Sequence, residues 1–207
     1  MNSKKSLLIG TLALVLVIGG ATLLYKHFDG SPTAPISPTS NARDSNGASA
    51  GSADDSSSQS ESDPEPAPDF TVLDRDGNEI KLSDLRGKPV IISFWASWCG
   101  VCKTGMTDFE EAFAEYGDDV HFMMVNLTAG SETRAVAESY IAENGYSFPI
   151  YFDTELSAAS AYGVNAVPVT YLVDAEGNLV AYGQGRLGIE GIKQGIDMAS
   201  GSTQAKS

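Results

Sequence analysis

Two cysteines occur among 207 residues, and both fall in residues 94–105, FWASWCGVCKTG. Cys99 and Cys102 are separated by two residues, a spacing with a short list of uses. A structural disulfide over so small a loop gains little, because loop-closure stabilisation grows with loop length. A structural zinc site takes about four ligands. Beyond the two sulfurs the chain offers only His27 and His121, and no second cysteine pair. Incidental buried thiols belong to reducing compartments. A redox dithiol is the reading the local sequence favours. Free N–H groups and the helix dipole at a helix mouth stabilise a thiolate by up to about 2 kcal/mol. That would bring a thiol from about 8.5 toward 7. Cys99 would then attack a substrate disulfide, and Cys102, one turn later and better buried, would resolve the mixed disulfide.

Such chemistry needs a strand running into Cys99 and a helix running out of it. Residues 89–95, PVIISFW, form a near-continuous apolar run suited to a strand covered on both faces. A helix is expected over residues 100–116, with Met106, Phe109, Phe113 and Tyr116 on one face and Gly117 as its stop. Upstream, residues 70–73 and 79–82 flank a glycine-containing turn and read as a hairpin, followed by a helical turn at 83–85. Downstream the pattern alternates: strand 120–127, helix 131–144, strand 149–152, helix 154–162, hairpin 169–173 with 179–182, and helix 189–199. Pro168 stands at the start of a strand, where proline is tolerated, and is a candidate cis peptide. The order predicts an α/β sheet with helices on both faces.

The flanks differ in composition. Lys4 and Lys5 precede an uncharged apolar run over residues 7–25, about 19 residues, long enough to cross a bilayer core. Residues 1–28 are read as a signal anchor with its N-terminus in the cytoplasm; the competing reading is a cleaved signal peptide ending at Gly19-Gly20-Ala21. Residues 29–66, rich in Ser, Pro, Gly and Asp, are read as a disordered tether. The folded domain is expected over 67–200 and a disordered tail over 201–207. The net charge of −14 repels phosphate backbones and argues against nucleic acid as a partner.

The combination of APDFTVLDRDGNEIKLSDLRGKPVIISFWASWCGVCK with the later GVNAVPVTYLVDAEGNLV resembles the thioredoxin superfamily. In particular it is similar to the membrane-tethered TlpA/ResA-type thiol-disulfide oxidoreductases, over about residues 67–198. The resemblance implies a thioredoxin fold with an N-terminal β-hairpin extension (70–82) and a central strand-helix insertion (148–162). It implies a cis Val167-Pro168 bond against the cysteine pair, with Trp98, Val167 and Pro168 binding substrate and the Val167 backbone pairing with an extended segment. No cofactor beyond the Cys99–Cys102 disulfide is implied. The implied partners are disulfide-containing secreted or membrane proteins, apocytochromes c among them, and a membrane electron donor.

Two departures from that pattern stand out. Gly105 replaces an acidic residue thought to assist proton transfer, and Thr107 replaces a helix-kinking proline. Ser93 also stands where thioredoxin proper has a buried aspartate, which leaves Asp108, a turn further along, as the nearest candidate carboxylate. The function expected is an extracytoplasmic, membrane-anchored thiol-disulfide oxidoreductase, reducing rather than oxidising. The alternatives are a thiol oxidase, a peroxidase and a client-binding protein without turnover.

Overall fold

The computed structural model describes residues 37–38 and 64–204. The apolar stretch read as an anchor and most of the tether lie outside the described residues. Among those described, no helix is long and apolar enough to cross a membrane.

The central strand β4 (Val90–Trp95) is buried at every position. Side chains alternate across a strand, so β4 feeds two cores at once. Ile91 and Trp95 join Met106, Phe109 and Ile192 on one face of the sheet, while Val90, Ile92 and Phe94 join Phe70, Leu82 and Tyr162 on the other. Fully burying side chains of this size contributes roughly 1.5–3 kcal/mol each. This double burial explains the near-continuous apolar run.

Around β4 the sheet collects β1 (Ser37–Pro38), β2 (Thr71–Leu73), β3 (Glu79–Lys81), β5 (His121–Asn126), β6 (Ile150–Phe152), β7 (Val169–Val173) and β8 (Leu179–Gln184). Their order is β1-β8-β7-β4-β5-β6-β2-β3. Strands β4, β5 and β6 run parallel, and β7 pairs antiparallel to β4. The long helices are α1 (Gly100–Tyr116), α2 (Arg134–Asn144) and α4 (Gly188–Gln204), with a short α3 (Ser157–Ala161). The predicted hairpin is present as β2–β3, and a 3-10 turn follows at Leu82–Leu85.

Differences from the sequence reading lie at element ends. Helix α2 begins three residues later than expected because the Thr133 side chain caps it, accepting from Val136 N at 3.3 Å. Helix α3 also starts late, since the buried Asp153 carboxylate accepts from the Ala158 and Ala159 N–H groups. Helix α4 runs on to Gln204, past the residue at which the domain was expected to end. In the tether, Ser37 and Pro38 pair with Tyr182 and Ala181 of β8.

The pairing that matters most for the site is Trp95 opposite Asn126. It brings together the carboxyl ends of β4 and β5, and hence the loops that leave them.

Candidate active site

The chain turns sharply after β4, with Cys99 N donating to Ala96 O at 3.1 Å. Cys99 is the N-cap of α1, in extended conformation at φ −82° and ψ 106°. Its Sγ accepts from Cys102 N at 3.1 Å. Sγ therefore lies among the unpaired N–H groups of the first turn, where the helix dipole favours negative charge. The two sulfurs form a disulfide, with the Cα atoms 5.2 Å apart. Cys99 and Cys102 are 6% and 4% exposed, so burial barely distinguishes them. Position on the helix does: only Cys99 caps it.

The Val167-Pro168 peptide is cis, and Val167 O lies 3.6 Å from Cys99 Sγ. Residues about 70 positions apart thus meet at one sulfur. Trp98 and Val101 stand exposed beside the buried disulfide, at 63% and 52%. They are two of the four large apolar side chains exposed among the described residues, and in sequence they bracket Cys99. The structure thus assembles Cys99, Cys102, Val167 and Pro168 and leaves Trp98 on the rim.

Asp108 is placed differently from the sequence expectation. Its carboxylate is gripped by Arg186, with Nε donating to Oδ2 at 2.9 Å and Nη2 to Oδ1 at 3.2 Å. It is held in an ion pair, with both oxygens engaged by one guanidinium. Ser93 is buried and accepts a hydrogen bond from Thr170 Oγ1 at 3.2 Å. Among the described residues no group of three His, Cys, Asp or Glu side chains could hold a metal ion.

Sequence reasoning missed Glu132. It lies in the loop after β5 and is 2% exposed. Oε1 accepts from Ser97 N and from Asn126 Nδ2, both at 2.7 Å, and Oε2 accepts from Ser97 Oγ at 2.6 Å. One carboxylate thus ties the end of β5 to the residue two positions before Cys99. Tyr140 of α2 lies beside the strand end and the helix that flank Cys99. Its ring lies 6.0 Å from that of Trp95, and the Lys103 ammonium sits 5.1 Å from its centroid. Burial, with Tyr146 beside it, pushes the Tyr140 phenol up to about 12, so the ring meets that cation as a neutral group.

A cysteine pair at the start of a helix, met by a cis-proline loop across a mixed sheet, defines a thioredoxin-fold thiol-disulfide oxidoreductase. Comparison with known proteins agrees. The chain belongs to the AhpC/TSA family, whose model matches residues 64–182. It is 34% identical over 132 residues to the thiol-disulfide oxidoreductase ResA of Geobacillus thermodenitrificans, covering 63% of this chain and 74% of that protein. With ResA of Bacillus subtilis it shares 32% identity over 115 residues, 55% of this chain and 63% of the relative. Among solved structures it is similar to a putative thiol:disulfide interchange protein DsbE from Chlorobium tepidum. That match has 29% identity and a TM-score of 0.58, over 66% of this chain and 96% of that one. Proteins of this kind work through a redox-active cysteine pair rather than an external cofactor.

Proposed function

We propose that the protein is an extracytoplasmic reductase of protein disulfides, tethered through residues 1–28. Cys99 is the attacking sulfur and Cys102 the resolving one. The observation that carries this reading is the asymmetry of the pair: Cys99 Sγ caps α1 and faces Val167 O, between the exposed Trp98 and Val101. An extended substrate segment would lie along the Val167 backbone, with its apolar side chains against Trp98. In the forward reaction the Cys99 thiolate attacks one substrate sulfur. The substrate disulfide breaks, and the first substrate thiolate leaves and takes a proton. Cys102, having lost its proton, then attacks Cys99 Sγ and expels the second substrate thiolate, which is protonated in turn. Two electrons pass to the substrate, and the Cys99–Cys102 disulfide forms. A membrane electron donor returns the pair to the dithiol. The apolar run following Lys4 and Lys5 supports an extracytoplasmic domain.

Equilibrating the domain against glutathione tests the direction. A potential near about −270 mV supports a reductase, and one near about −120 mV overturns it in favour of an oxidase. Cys102→Ser should retain partners as mixed disulfides through Cys99, identifiable by mass spectrometry.

A further inference from the structure

Gly105 leaves room beside the cysteine pair, and the structure shows what uses it. A Cβ built on Gly105 would sit 3.5 Å from Cγ of Arg186. The Arg186 stem therefore lies against α1 one turn beyond Cys102. Its guanidinium is held in bidentate fashion by Asp108, the fork geometry that fixes an arginine most firmly. Behind Gly105 is a cavity of about 10 Å³, lined by Ser93, Trp95, Cys102, Gly105, Pro168 and Arg186 among others. That is about the space of one water, and the Arg186 side chain on its wall is itself only partly exposed. Of the side chains on its wall, only Cys102 and Arg186 can carry charge. The neighbouring charged groups are engaged elsewhere: Lys103 over Tyr140, Glu132 on Ser97 and Asn126, and Asp108 on Arg186 itself.

We infer that Arg186 is a positioning residue for the resolving step, its guanidinium stabilising the Cys102 thiolate across the Gly105 cavity. This rests on the dithiol reading but not on the direction of electron flow. A carboxylate at position 105 would accept the Cys102 proton, but while ionised it would disfavour the thiolate. A cation favours the thiolate directly, and the proton leaves to solvent. The thiolate then attacks Cys99 Sγ and the substrate thiolate departs, as above. Asp108 anchors the guanidinium and also tempers its charge, so the two residues of one ion pair act on Cys102 with opposite sign.

The sign difference provides the test. In Cys99→Ser protein the lone Cys102 is titrated by its thiolate ultraviolet absorbance. Arg186→Met, which keeps the stem and removes the charge, should raise the Cys102 pKa by about one unit. Asp108→Asn should lower it by a smaller amount, and Arg186→Lys should restore part of the wild-type value. Both disruptive variants break the same salt bridge, so a purely structural role would move the two pKa values together or not at all. Either of those outcomes overturns the proposal. With Cys99 restored, resolution of the transient Cys99 mixed disulfide, followed by rapid mixing at neutral pH, should slow roughly threefold in Arg186→Met, and an unchanged rate would also overturn it. The titration reads Cys102 directly, so it stands even if the wild-type protein proves unable to reduce any protein disulfide, which would instead defeat the functional reading.

Discussion

Glu132 carries a carboxylate into the interior and accepts three short hydrogen bonds there, from Ser97 twice and from Asn126. A buried charged group is tolerated only when its lone pairs are satisfied. Removing it leaves the Ser97 N–H and the Asn126 amide unpaired. Glu132→Ala is therefore expected to cost about 2–4 kcal/mol, measured as the shift in urea unfolding of the oxidised domain. Glu132→Gln keeps one acceptor oxygen and should cost roughly half as much. Because the bonds end two residues before Cys99, both variants should also slow insulin-disulfide reduction. Equal rates for wild type and Glu132→Ala would show that the loop holds its shape without this anchor. At the cysteines, Cys99→Ser should abolish reduction, while Cys102→Ser should allow the first exchange and block the second.

At the scale of elements, two helix ends show how one residue type can serve different needs. Gly145 ends α2 at φ +71°, a conformation that costs an L residue about 1–2 kcal/mol. Gly117 ends α1 at φ −62°, where any residue is comfortable. Its constraint is space, since a Cβ there would sit 2.6 Å from Phe113 O and 2.9 Å from the Phe113 ring. Gly117→Ala should therefore destabilise by overpacking, about 1–3 kcal/mol. An additional Phe113→Leu change, which removes the ring, should recover part of that loss; at Gly145→Ala the same change should recover nothing. Thermal unfolding of the four variants checks this. Helix α1 matters to function as well as to packing, because it carries Cys99 at its mouth, Gly105 beside the cavity and Asp108 under Arg186.

Across the whole molecule, the pH dependence of stability includes an identifiable contribution from His121, at the start of β5. Burial, with Lys88 nearby, holds its pKa below the ordinary 6.5. The folded protein thus keeps His121 neutral in a range where the unfolded chain already binds a proton. Stability present above about pH 6.5 is lost as the pH falls from there through the depressed folded value. His121→Gln should flatten that part of the profile while leaving the carboxylate-driven loss at lower pH unchanged. Denaturant midpoints measured on either side of pH 6.5 test it, and an unaltered slope would rule His121 out as the cause.

Much of this protein was legible in one dimension because its signals are local. The spacing of Cys99 and Cys102, the near-continuous apolar run of residues 89–95, and the turn residues between strands each act within a few positions. The bounds of α1 were read directly from sequence. Helices α2 and α3 were read too long because their caps depend on Thr133 and Asp153, and a threonine or aspartate looks the same whether or not its oxygen meets an N–H. Glu132 and Arg186 were invisible for a stronger reason. In a chain of 27 acidic and 13 basic residues nothing local distinguishes a buried carboxylate or a cavity-lining guanidinium from a solvated one. Their roles exist only because β4 pairs with β5 and because α4 and its approach pack on α1. Those contacts join residues 35 and 78 positions apart, and distances of that kind are decided by the fold.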